Sequence, residues 1–287
     1  MDGISRVNKS LSTVKAILGI VFAILILVIA QSLSFSISEI FLGLGIPTAI
    51  CNIMAGILYV TLTLVGVNIL CKKYLKVSML ELRIPQFHIK KIWIIAAVLM
   101  PIMVLIISMV IGGHWKVNTF DTETTLATVT GAVIFYGLAT GVVEEIIFRA
   151  VIMGCLEKRF NIQVAIVIPS VLFGALHIIG NNLNFISTIQ LLIAGSIVGV
   201  LFSLIAYESN SVWNNALVHG VWNMAIIGGI LHIGNVADNS SIFNFVLENK
   251  MFIFTGGDFG IEASVISILV YLIFCLIAVC SFKRQKK

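Results

Sequence analysis

Charge is what this sequence has least of. Asp, Glu, Lys and Arg make up 11% of its 287 residues against 59% hydrophobic, and the mean hydropathy is +1.10. A soluble domain carries about 25% charged residues, so a water-exposed globule is excluded and an integral membrane protein is implied. Proline is scarce too, four residues in all, which leaves long stretches free to be helical. The five cysteines, Cys51, Cys71, Cys155, Cys275 and Cys280, form no CxxC pair. Their odd count argues against a disulfide framework, and they read as small apolar packing residues. No charge block, low-complexity tract or long linker divides the chain, so residues 1–287 are expected to form a single membrane domain. No aromatic-interleaved basic patch is present either. The net charge of +5 therefore reads as a topology signal and as contact with anionic lipid, with no nucleic acid as partner.

Where charge is missing altogether, spans are expected, because a charged side chain rarely faces lipid. Nothing charged lies between Lys15 and Glu39, Glu39 and Lys72, Lys91 and Lys116, Glu123 and Glu144, Glu208 and Asp238, or Glu262 and Lys283. Each gap holds the roughly 20 residues that one crossing needs. The longer uncharged interval from Phe160 to Tyr207 is broken by the polar turn Gly180-Asn181-Asn182-Leu183-Asn184, and reads as a helical hairpin. The fold expected is all-α, a multi-pass bundle of about eight transmembrane helices. The fourth must run through Glu144 and Glu145 to about Leu156, so it is long and tilted. The first hydrophobic run, Ala16 to Ser38, is long enough to span and reads as a retained helix rather than a cleaved signal.

Lysine and arginine orient the bundle. With the N-terminus inside, Arg6, Lys9, Lys15, Lys72, Lys73, Lys76, Arg83, Lys90, Lys91, Lys158, Arg159, Lys283, Arg284, Lys286 and Lys287 share one side, and only Lys116 and Lys250 take the other. The positive-inside rule then puts both termini in the cytoplasm and the Asp238–Ile261 segment outside. Two patterns, Gly137-Leu-Ala-Thr-Gly141 and Gly195-Ser-Ile-Val-Gly199, have the small-xxx-small spacing that lets membrane helices approach closely.

Few strongly polar groups remain at membrane depth: Glu144, Glu145 and Arg149 on the fourth span, His177 on the fifth, His219 and Asn223 on the seventh. Glu145 and Arg149 are four apart, share a helix face and can pair, which lowers the cost of keeping either in the bilayer. Glu144 is turned about 100° away and faces elsewhere. Phe173 with His177, and His219 with Asn223, are again four apart, so each helix presents a short polar stripe to a common interior. A carboxylate, two imidazoles and an amide converging there suit hydrolysis: the carboxylate as general base on water, the histidines holding that water or a metal, and Asn223 with one imidazole donating to an oxyanion. Each feature alone has a structural reading, a helix-to-helix hydrogen bond for a histidine, a clamp or a transporter's proton path for the Glu/Arg pair. Their joint occurrence favours chemistry. His88 in a basic inner loop, His114 and His232 near the outer surface, and Trp115, Trp213 and Trp222 read as interfacial or packing residues.

On these residues the sequence resembles the CPBP intramembrane proteases, which include type II CAAX prenyl endopeptidases and the bacterial Abi and bacteriocin-processing proteins. The motifs E-E-x-x-x-R, F-x-x-x-H and H-x-x-x-N stand here, in order, as EEIIFR (144–149), FGALH (173–177) and HGVWN (219–223), within a motif-bearing core of about 126–232. The resemblance implies an endopeptidase in which Glu144 activates water together with His177, His219 and Asn223 form the oxyanion site, and Glu145 and Arg149 support Glu144. It also raises Zn2+, since zinc takes about three protein ligands and an open position, which Glu144, His177 and His219 can supply. A metal-free glutamate mechanism fits equally well. The substrate implied is a membrane-associated peptide or protein, whether a prenylated tail, a bacteriocin or similar leader, or another membrane peptide, in what the bacterial relatives suggest is a bacterial cell membrane. The cavity is expected to open toward the cytoplasm. The alternatives are a non-proteolytic immunity or scaffold protein binding a peptide in the same cavity, and a transporter, for which the chain lacks a clear internal repeat. Oligomeric state is not readable.

Overall fold

The computed structural model describes residues 10–285; Arg6, Lys9, Lys286 and Lys287, counted above for orientation, lie outside them. Eight principal helices follow the uncharged intervals: α1 Thr13–Gly43, α2 Thr48–Leu75, α3 Lys91–Ile111, α4 Thr122–Arg159, α5 Ile162–Leu176, α6 Phe185–Ser209, α7 Val212–Trp222 and α8 Val265–Gln285. Six are long and apolar enough to cross a bilayer. The fifth and seventh are not. α5 has 15 residues and rises about 22 Å at 1.5 Å per residue; α7, continued by a wider turn over Asn223–Ile227, rises about 24 Å. Both fall short of a hydrocarbon core of about 30 Å.

Local sequence explains where these two stop and start. Asn161 caps α5, its side chain accepting from the Val164 amide, and Ser211 caps α7 in the same way toward Trp213. α5 ends at Leu176, capped by His177, and the chain then turns through the polar run Gly180–Asn182, where Gly180 takes φ +82°, a value glycine tolerates freely. α4 is the long helix expected, 38 residues, with i→i+5 turns over Gly131–Thr140 and Ile146–Ile152 around a five-residue α-helical stretch, Gly141–Glu145. Such wider turns recur at functional sites.

The two ends of the bundle differ in charge. At one end Lys158 pairs with Glu81 (3.3 Å), Arg83 with Glu157, and Lys90 with the buried Glu208 (3.0 Å), while Arg159 donates to Thr13 (2.7 Å). The other end, poor in lysine, carries a sheet that hydropathy and charge do not announce. β1 (Gly113–Val117) pairs antiparallel with β3 (Phe243–Leu247), and β3 pairs parallel with β2 (Leu231–Gly234), in the order β1-β3-β2. Its strands of four or five residues directly adjoin apolar spans, so period-2 alternation has no room to stand out. His114, Trp115 and His232 lie on these strands.

Buried apolar side chains form two clusters, one built around α1, α2 and the inner half of α4, the other around α3, α6, α7 and α8. The glycine patterns lie along helix crossings. A Cβ on Gly141 would stand 2.7 Å from Gly220 Cα, one on Gly195 2.7 Å from Gly174 Cα, and one on Gly199 2.7 Å from Ser170 Cα. Gly195→Ala should therefore force α5 and α6 apart. Overpacking of this kind costs about 1–3 kcal/mol, to be read as a lower thermal midpoint of the purified protein, with Gly43→Ala, whose Cβ would meet nothing within 4 Å, as control.

Candidate active site

α4, α5 and α7 bring the polar residues together at the seam between the two clusters. The fully buried Glu145 is the hub. Its Oε1 takes a hydrogen bond from Arg149 (3.0 Å), four residues on as the spacing requires, and lies 2.8 Å from His219 Nδ1; its Oε2 accepts from Asn215. Because a carboxylate only accepts, Nδ1 of His219 carries a hydrogen and its Nε2 is turned to the cavity, 3.8 Å from Glu144 Oε2. The support of Glu145 thus goes to His219, not directly to Glu144. Arg149, also fully buried, donates to the Gly199 carbonyl (3.3 Å), and its guanidinium lies over Phe173 (4.5 Å) and Phe202 (5.3 Å), a placement in which aromatic faces offset part of the loss of water.

Glu144 stands apart from this knot, as the helical angle predicts. Its Oε2 is buried and makes no hydrogen bond within the protein. A buried carboxylate oxygen without a hydrogen bond is costly, and His219 Nε2 stands 3.8 Å from it. His177, at the end of α5, holds its Nδ1 2.7 Å from the Phe173 carbonyl. That carbonyl can only accept, so Nδ1 carries the hydrogen and Nε2 is left as an acceptor. The phenylalanine of FGALH thereby has two tasks, fixing the His177 tautomer through its backbone and covering Arg149 with its ring. Asn223 Nδ2 donates to the Tyr136 carbonyl (3.0 Å), and its second N–H hydrogen is left for another acceptor.

A cavity of about 280 Å³ joins these groups. Its walls include Glu144, His177, His219 and Asn223 with apolar residues such as Leu191 and Val198. It also holds a third carboxylate, which in the sequence marks only the edge of a span. Glu262 precedes α8 and accepts from Trp222 Nε1 at 2.7 Å. Burial pushes its carboxyl above the ordinary range, and the Trp222 hydrogen bond pulls the other way. Trp222, read above as an interfacial or packing aromatic, is 2% exposed and serves this wall. Asn215 is a further member that the motifs do not include, although a signal for it exists: it precedes His219 by the four residues that separate His219 from Asn223. Glu262 carries no comparable signal, since only the fold brings it to the motifs.

Glu144, His177 and His219 line this one cavity without gathering around one point as ligands of an ion do. Among the described residues no group of three His, Cys, Asp or Glu side chains is placed to hold a metal. The donor set does not fit zinc in this arrangement, so no chemical step is routed through one.

The cavity has a direction. From Glu144 its wall continues along α4 to Thr140 and Tyr136, from His219 along α7 to Asn223 and Ile227, and beyond α5 to Asn181. Every one of these steps leads toward the lysine-poor end. On the opposite side Ile147, Phe148, Arg149 and Asn215 are at most 2% exposed and close the floor.

Residues 126–225 match the family described as type II CAAX prenyl endopeptidase Rce1-like. The matched stretch contains all three motifs. No curated protein and no solved structure matches the chain.

Proposed function

We propose, for a chain that carries a segment of the type II CAAX prenyl endopeptidase Rce1-like family, an integral membrane endopeptidase that cleaves a peptide bond of a membrane-associated substrate with water activated by Glu144. The observation that carries this reading is the buried Glu144 Oε2, which makes no hydrogen bond within the protein and lies 3.8 Å from His219 Nε2, in a cavity that His177 and Asn223 also line. In the proposed reaction a water held between Glu144 and His177 Nε2 gives its proton to Glu144 as its oxygen attacks the scissile carbonyl carbon. The resulting oxyanion is met by Asn223 Nδ2 and by His219, which in its doubly protonated form donates from Nε2 while its Nδ1–H is held by Glu145. Glu144 returns the proton to the amide nitrogen as the C–N bond breaks, and the remaining water hydrogen passes from the new carboxyl group to the amine, so that water is consumed and a carboxylate and an ammonium group are released.

The site contains no assembled set of three metal ligands, and this supports a prediction. Purified protein incubated with lipidated and leader peptides should cleave the same peptide at the same rate after exhaustive chelation, measured by mass spectrometry of the products. Loss of activity on chelation with recovery on adding zinc would overturn the metal-free mechanism. Peptide binding without cleavage at any metal level would instead favour the immunity or scaffold alternative.

A further inference from the structure

The direction of the cavity and the distribution of charge belong to different parts of the molecule, and together they say from which side the substrate comes. Apart from Arg149, every described Lys and Arg except Lys116 and Lys250 lies at or near the end of the bundle where Lys90 meets Glu208 and Lys158 meets Glu81. Acidic residues Asp121, Glu123, Asp238, Glu248 and Asp258 accompany the two exceptions at the far end. A bias of this size orients a membrane protein with the basic end in the cytoplasm. The cavity runs the other way. Its rim is made of Tyr136, Asn181, Ile227 and Phe259, each at the far end or in the connections there, and its floor toward the basic end is the buried layer of Glu145, Arg149 and Asn215.

We propose that the active-site cavity opens on the extracytoplasmic side, so that its substrate is an exported peptide or one lodged in the outer leaflet, and not a tail prenylated in the cytoplasm. The proposal rests on the protease reading above for the word substrate, but its geometry does not depend on it. It replaces the cytoplasmic opening expected from the sequence, and the reason is structural. α5 stops at His177 instead of completing a crossing, which leaves the space beyond it as a recess on the lysine-poor side. Two features suit a peptide that arrives there. Tyr136 and Ile227 are 43% and 41% exposed and flank the recess on α4 and beyond α7, where a chain lying in the outer leaflet meets them. Above His177 the stretch Gly256–Gly260 forms a strap: Asp258 accepts from the Asn184 backbone (3.0 Å) and side chain (2.7 Å), and the Phe259 ring faces His177 at 6.4 Å. With glycine at 256, 257 and 260 all at positive φ, this strap turns tightly and brings Phe259 to the rim of the cavity.

The test reads sidedness without needing catalysis. In a chain with Cys275 and Cys280 replaced by serine, Asn181→Cys at the rim and Lys72→Cys at the basic end are produced in cells and treated with a membrane-impermeant maleimide. Asn182→Cys, which breaks no hydrogen bond named here, stands beside Asn181→Cys in case the latter folds poorly. The expected result is labelling of position 181 or 182 in intact cells and of position 72 only after permeabilisation. Labelling of position 72 in intact cells, with 181 and 182 reached only after permeabilisation, overturns the proposal. A protein that labels as expected yet cleaves no peptide from either side would leave the opening established and refute the protease reading alone.

Discussion

Glu144→Gln will abolish most turnover, lowering it by about 10²- to 10⁴-fold, the range that a general base contributes, while the protein inserts and melts like wild type. Glutamine keeps the size of the side chain and its capacity to hydrogen-bond but cannot take a proton. Glu144 makes no hydrogen bond within the protein through its buried Oε2, and its partner at 3.8 Å, His219, is held from the other side by Glu145. Removing the charge at 144 therefore strands no buried cation. The measurement is a rate of peptide cleavage alongside a thermal melt. Near wild-type turnover in Glu144→Gln sinks the mechanism.

The second large effect falls on the neighbouring residue and has the opposite character. Glu145→Gln removes the one carboxylate that Arg149, His219 and Asn215 all use. Arg149 is fully buried and keeps only a carbonyl and aromatic faces. Breaking a buried pair by removing one partner costs about 3–5 kcal/mol, so Glu145→Gln should lower expression and the melting midpoint as well as the rate. Glu145→Gln combined with Arg149→Gln should recover part of the stability and none of the activity, since His219 still lacks its carboxylate. A Glu145→Gln protein as stable as wild type, with only catalysis lost, would reverse the roles assigned to the two glutamates.

The different placement of the two glutamates is legible in the sequence alone. Four-residue spacing puts Glu145 with Arg149, and one step around the helix puts Glu144 elsewhere; both follow from 3.6 residues per turn, and the pair forms at 3.0 Å even though Arg149 lies within the i→i+5 turn of Ile146–Ile152. The long fourth helix and the close crossings at Gly141 and Gly195 are legible for similar local reasons. What escapes is non-local. Hydropathy measures how apolar an interval is, not how many of its residues are helical, so α5 and α7 read as full crossings although capping and polar turns cut them short. Glu262 reaches the motifs only because Trp222 on another helix receives it, and β1 finds β3 across more than 120 residues of chain. The direction of the cavity escapes for the same reason, since nothing local tells which end of a helix a recess will face.

The closed floor of the cavity bears on a task that has nothing to do with peptides. A cell membrane stores a voltage worth about 2.3 kcal/mol for each elementary charge moved through 100 mV, and any aqueous recess in its middle threatens to short it. Here the layer of Glu145, Arg149 and Asn215 is buried without solvent exposure, and its two opposite charges are paired with each other at 3.0 Å. In the proposed reaction water is activated at Glu144 on one side of that layer, and the layer offers it no solvent path to the other side. The adjacent glutamates thus divide a second time: Glu144 lines the recess, and Glu145 belongs to the insulation.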